Sequence, residues 1–294
     1  MKKWIMIPMT SLLLLVLSAC NSTAEPATDS EEAAGSQEES KKSELTLEEV
    51  YEKAIERQNE LKSSSADIKM EQKMTFGNGT ESFEMNTTSD MKMDIIVEPM
   101  ESYMDGTIQM ADPETGEDTK LDMEMYMTEE GLYMHDSETN QWLKLPSEQF
   151  DAIVGQTANQ VDASDQLKQL QTFIDDFKFE QTDSEYVLTM SAASEEFSKF
   201  ILEQMQISEM IGMAEEEKEL FENMSFDTVN YVITIDKETF DIHKMDTVVD
   251  MTLEMEGESV TVGTDVKIAF NNFDAIEDIT VPQEVIDQAV EVQY

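Results

Sequence analysis

From residue 65 to about residue 145, apolar side chains recur at every second position. The runs are Ile68, Met70, Met74 and Phe76; Phe83 and Met85; Met91, Met93 and Ile95; Tyr103 with Ile108 and Met110; and Leu121, Met123, Met125 and Met127. Asp, Glu, Lys, Thr and Ser fill the places between them, which predicts half-buried antiparallel strands. Turn residues break the runs at Gly77-Asn78-Gly79, Glu98-Pro99, Asp105-Gly106, Asp112 to Gly116 and Glu129-Glu130-Gly131. The strands are therefore expected to follow one another as hairpins in a meander, continuing through Leu132 to Met134 and Trp142 to Leu145. Further strands are predicted over 173–179, 186–190, 226–236, 242–256 and 259–270, the last three joined by hairpins at 237–241 and Glu256-Gly257-Glu258.

Helical spacing interrupts this pattern in four places. Over 46–62, Thr46 and Glu49 form a capping box, and Leu47, Val50, Tyr51, Ala54, Ile55 and Leu61 share one stripe, so an amphipathic helix should pack on the core. A weaker helical stretch over 146–171 and a helix opening at Ser194 and extending towards residue 223 read as an insertion or lid. Pro282 starts one or two turns near the C-terminus. The sum is an α+β domain, 45–294, built on a large twisted antiparallel sheet with helices against one side.

The first twenty residues follow a different logic. Lys2 and Lys3 precede an apolar run centred on Leu12 to Leu17, too short for a comfortable membrane span and followed at once by polar residues, which is the form of an export signal over 1–19. Leu17-Ser18-Ala19-Cys20 resembles the lipobox of bacterial lipoproteins, whose Cys thiol is acylated with diacylglycerol and becomes the first mature residue. That resemblance implies a chain held on the extracytoplasmic face of the cell membrane through Cys20. Residues 20–44, rich in Ser, Glu, Ala and Thr, read as an acidic disordered tether with an r.m.s. span of roughly 25–30 Å.

Composition narrows the function classes. The chain has 294 residues, 65 acidic against 19 basic, a formal charge of −46, one Cys and two His. Removal of the signal takes two lysines and no acid, leaving 17 basic residues and a charge of −48. Nucleic acid needs a basic footprint and finds none. A single Cys makes no internal disulfide or thiolate zinc site. No nucleophile elbow, metalloprotease helix or phosphate loop is present, His135 and His243 are far apart, and no catalytic residue, metal or cofactor is implied. The turn Asp112 to Asp118 has oxygen ligands of the kind calcium prefers but lacks EF-hand spacing, and so reads as a plain acidic hairpin rather than a calcium site. His135 beside Met134 is too little for thioether copper binding.

Methionine is the unusual feature, with 23 residues, many at period two. Met91, Met93, Met123, Met125, Met127, Met251, Leu253 and Met255 are candidates for an adaptable apolar lining that takes flexible acyl chains. The alternative is that Met stands in for Leu and Ile in an ordinary core.

The element order, with Tyr231 to Thr239 and the terminal Val281-Pro282-Gln283-Glu284-Val285, resembles Gram-positive lipoproteins whose domain is similar to the LolA/LppX/LprG superfamily of lipoprotein and lipid carriers. The resemblance runs from about Leu45 to the C-terminus. It implies a sheet curled into an unclosed half-barrel with helices on its concave side, and a function in binding or carrying a lipid or lipidated partner. The competing expectation is a non-catalytic interaction or sensor lipoprotein with a solid core and a protein partner that the sequence does not name. An envelope enzyme is a third reading, without a motif behind it.

Overall fold

Thr46 caps helix α1 (Leu47–Glu60). Its hydroxyl accepts from the Glu49 N–H at 3.3 Å, and the Glu49 carboxylate accepts from the Thr46 N–H at 2.9 Å, the reciprocal box expected from the sequence. The computed structural model describes residues 23–26, 43–77, 82–111, 118–137, 139–145, 167–168, 170–191, 224–255 and 258–292. The signal segment with Leu17, Ser18 and Ala19, Cys20, the acidic turn 112–117, most of 146–171 and the helix from Ser194 lie outside the described residues.

The meander is present as β2 (Ser63–Gly77), β3 (Ser82–Ile96), β4 (Glu101–Ala111), β5 (Asp118–Thr128), β6 (Gly131–Asp136) and β7 (Gln141–Lys144), each antiparallel to the next. A second antiparallel run comprises β8 (Phe177–Gln181), β9 (Glu185–Ser191), β10 (Met224–Asp236), β11 (Ile242–Met255) and β12 (Glu258–Asn271). β12 pairs with β2 from Ser259↔Gly77 to Asn271↔Ser65, and so joins the runs into one sheet. Two-residue strands, β1 (Glu25–Pro26) and β13 (Val290–Glu291), add in parallel to β8 and β7 at the two outer edges. These edges do not pair with each other, and the α+β fold is an unclosed half-barrel.

Three expectations are corrected. Asp105-Gly106 is no turn: both residues lie inside β4, and Gly106 is glycine because a Cβ there would meet the Asp90 carbonyl oxygen at 2.3 Å and Met91 Cα at 2.7 Å on the neighbouring strand. Residues 173–176 are not strand but part of a 3-10 turn, Gln171–Asp176, that leads into β8. Thr23 to Pro26 and Ser43, placed in a free tether by composition, are docked on the sheet.

Alternation puts one side of the sheet in the core. Val50, Tyr51 and Ala54 of α1, with Leu167 and Leu170, bury Phe177, Phe179, Leu188, Met190, Ile233 and Ile235. The Tyr51 hydroxyl donates to the Leu167 carbonyl at 2.8 Å, and burial raises that phenol far above its ordinary pKa. The residues after β12 cross the reverse side. The Ile276 N–H donates to the buried Ser63 hydroxyl at 3.0 Å, and helix α2 (Gln283–Gln288) sets Val285, with Val281, against Tyr133.

The pH response follows from this framework. Burial raises Asp236 and Asp274, but the N–H groups of Thr239 and Glu238 on the first, and of Lys62 together with Arg57 on the second, outweigh it and hold both below the usual carboxylate value. A depressed folded pKa gives stability that is present above the unfolded value, near 3.9, and lost as pH falls through the lower folded value. Glu101 has the opposite sign: burial, then Asp278 and Glu129, raise it, so its contribution is lost as pH rises through the folded value. Relief of the −46 charge acts in the same sense as Glu101. Melting temperature is therefore expected to rise from pH 7 to about 5, to fall below about 4, and to lose most of the first rise in high salt. Thermal melts across pH at two ionic strengths check this, and a flat profile between pH 7 and 5 in low salt would contradict it.

Candidate functional site

Strand register, not sequence distance, assembles the methionines. Direct pairs share a face in an antiparallel sheet, so the chain of partners Ala66↔Met93↔Met104↔Met125↔Met134 forms one row across β2 to β6. The next row is Ile68↔Met91↔Gly106↔Met123, and Ser102↔Met127↔Leu132 flanks the first on its other side. All five candidates of the meander, Met91, Met93, Met123, Met125 and Met127, are thus brought together. Met91 and Met127 are buried, while Met93, Met104, Met123, Met125 and Met134 are half-buried.

Gly106 shapes the middle of this patch. The missing side chain leaves a notch into which Met91 Sδ fits, 2.7 Å from where a Cβ would stand. A thioether suits the place because it is unbranched and polarizable.

Met251 and Leu253 lie on the same face but apart from the first group. Met251 pairs with Val262, Val262 with Met74, and Met74 with Met85, making a second patch nearer the β2–β3 hairpin tip. β11 is three strands from β3, about 14 Å across the sheet. Met255 pairs with Glu258 and is placed by register alone.

Met104, Met134, Met74 and Met85 were not among the candidates. The signal for Met104 was present but masked by the supposed turn at Asp105-Gly106. An unbroken strand gives Met104, Ile108 and Met110 one parity and sends Tyr103 to the reverse face.

The apolar face divides in two. Its β8–β11 end is closed by α1 and is an ordinary core containing Met190, fully buried. Its β2–β6 end holds Met91 and Met127 buried and Met93, Met104, Met123, Met125 and Met134 half-buried. Methionine therefore serves as ordinary core at the first end of this surface and forms a row of mostly half-buried side chains at the second.

The reverse face has another character. A cavity of about 250 Å³ there is lined by Ser65, Asp67, Asp94, Tyr103, Asp105 and Asn271, among others. Ser65 donates to Asp94, and Asn271 donates to Asp67 at 3.2 Å. Burial, then Glu124 and Asp105, raise the Tyr103 phenol, so it stays a neutral hydrogen-bonding group at physiological pH. Tyr103, Tyr126 and Trp142 continue the same face as a row of rings, with centroids 4.7 and 5.8 Å apart.

His135 packs on Trp142 at 5.2 Å, on the side opposite Met134, so the two do not form a thioether–imidazole pair. His243 faces Glu185 at 3.4 Å and stacks on Phe273. Among the described residues no three His, Cys, Asp or Glu converge to hold a metal ion, and no helix is long and apolar enough to cross a membrane.

Comparison with known proteins adds a family. No curated protein sequence matches the chain. Among solved structures, LprF from Mycobacterium bovis aligns with 80% of this chain and 96% of its own at 12% identity and a TM-score of 0.37. A DUF1329 family protein from Desulfovibrio piger aligns with 81% and 95% at 12% identity and a TM-score of 0.20. A beta-barrel-like protein of the domain of unknown function DUF1849 from Brucella abortus aligns with 71% and 98% at 10% identity and a TM-score of 0.18. At TM-scores this low, none of these likenesses extends to a ligand or an activity. The family model described as a family of unknown function, DUF6612, matches residues 46–290, from the cap of α1 to the start of β13, and the chain belongs to that family.

Proposed function

We propose that the protein is an envelope lipoprotein that binds a hydrophobic, acyl-chain ligand on its methionine face. In this reading residues 1–19 are removed, Cys20 carries diacylglycerol at the extracytoplasmic face of the cell membrane, and 45–294 act as one non-catalytic binding domain. The observation that supports ligand binding is the row Met93, Met104, Met125 and Met134, half-buried on four adjacent strands, with α1 covering only the other end of the same face. Unbranched thioethers adapt to the many conformations of an acyl chain, whereas β-branched side chains would present a fixed relief.

Native mass spectrometry with organic extraction tests this. The soluble form should begin at Asn21, without Cys20, because Ala24 is part of the core and a start at Ser43 would remove it. Bound lipid is expected on the wild-type protein. Met123→Asp with Met125→Asp should reduce it at least about tenfold, since a carboxylate set against an acyl chain loses its hydration without compensation. A circular dichroism spectrum unchanged by the substitutions would show that the fold survives. A clean apo mass after incubation with phosphatidylglycerol vesicles would sink the lipid reading and favour a protein partner.

A further inference from the structure

The segment between Cys20 and α1 has the composition of a free tether, yet its described parts meet at one side chain. Gln181, 5% exposed at the end of β8, donates from Nε2 to the Ala24 carbonyl at 3.0 Å and accepts at Oε1 from the Ser43 N–H at 3.0 Å. Both arms of a buried amide are spent on that segment, which is how a glutamine is buried without penalty. Around it, Ala24 is fully buried in the main core, Glu25–Pro26 pair with Glu180–Gln181, and Thr23 bridges to Thr46. The Tyr186 hydroxyl donates to Ser43 Oγ.

We propose that Gln181 is a clasp that holds the lipid-bearing end of the chain against the domain, so that the N-terminal end of α1 and the adjoining edge of β8 face the bilayer surface. This rests on the acylation of Cys20 proposed above. Cys20 is three residues from Thr23. Covalent geometry alone keeps its Cα within about 11 Å of the docked residues, whatever path the chain takes. A free tether of 24 residues would instead span roughly 25–30 Å and let the domain tumble. The clasp thus turns a long leash into a short one and fixes which edge of the half-barrel meets the headgroups. The methionine face, on the same sheet, is then held at a set height above the lipid.

Energy transfer on the lipidated protein, purified from membranes and reconstituted in phosphatidylcholine vesicles with a headgroup-attached acceptor, tests the proposal. Acylation leaves no free thiol at Cys20, so a donor can be placed at Glu48→Cys, exposed in the first turn of α1, or at Ser82→Cys, exposed at the β2–β3 hairpin tip. Ser82 lies more than about 30 Å along the strands from the row that Gln181 joins. Transfer at Glu48→Cys should exceed that at Ser82→Cys by at least about twofold. Gln181→Leu should shrink this difference. A Gly/Ser insertion of about six residues between Cys20 and Thr23 should lower transfer at Glu48→Cys. Equal transfer at the two positions, with Cys20 shown to be acylated by mass spectrometry, overturns the short leash alone. An unacylated Cys20 overturns the leash and the anchoring reading together.

Discussion

Arg57→Ala is expected to destabilise the fold by roughly 3 kcal/mol, a large share of what holds a domain together. Arg57 sits in the last turn of α1 and makes two ion pairs, Nε to Asp241 Oδ1 at 2.6 Å and Nη2 to Asp274 Oδ2 at 2.8 Å. Asp241 ends the β10–β11 hairpin and is 5% exposed, and Asp274 also accepts the Lys62 N–H at 2.7 Å where the chain leaves α1. One guanidinium thereby ties the helix to two turns of the sheet. Removing it strands a buried carboxylate with no cation, which is costlier than losing a surface pair. A urea titration should show the midpoint fall, and Arg57→Ala with Asp241→Asn should recover much of the loss. Arg57→Lys should fall between, because a single ammonium does not span both carboxylates as the planar fork does. A wild-type midpoint for Arg57→Ala would mean that the tie is only decorative.

Gly106→Val should also lower stability by roughly 3 kcal/mol, and here even the sign is informative. In an open strand, valine in place of glycine would be favourable by up to about 1 kcal/mol, since it is the better strand former. At Gly106 the new Cβ meets backbone, the Asp90 carbonyl oxygen at 2.3 Å and Met91 Cα at 2.7 Å, and neither can rotate away. β3 and β4 must separate, which also disturbs Met91 and the neighbouring methionine row. Met91→Ala in the same chain should relieve only the sulfur contact and restore only part of the loss. A rise in the urea midpoint for Gly106→Val would show that the strands do not approach so closely. Bound lipid measured on the same protein links the effect to the candidate site.

Much of the fold was legible because local rules were obeyed without interruption. The capping box at Thr46 and Glu49 located α1 to within a residue or two, and period two marked β2, β5, β10, β11 and β12 close to their observed ends. The one mid-strand error had a definite cause. Asp-Gly is a strong hairpin signal, but a glycine is also demanded where two backbones come close, and the sequence does not distinguish these uses. That error displaced Tyr103 onto the wrong face and hid Met104. At residues 173–176, Phe173 and Ile174 carry strand-like side chains, yet the chain uses them in a 3-10 turn to bring Phe177 onto the core.

The two faces of each strand are legible without any structure. Alternation states which side chains stand together along a strand, because the backbone period of two is a local property. The sequence also marked the export signal and the Cys20 motif as expectations, through charge and hydropathy over a short window. How those faces join depends on pairing and packing between distant segments. Register placed Met93, Met104, Met125 and Met134 side by side, though they come from four strands. Packing closed one end of the apolar face with α1 and left the other half-buried. The docking of Ala24 beside Gln181, 157 residues away in the chain, leaves no local trace at all. Two residues of strand have no periodicity to read, and their stability comes from an edge that exists only once β8 has formed.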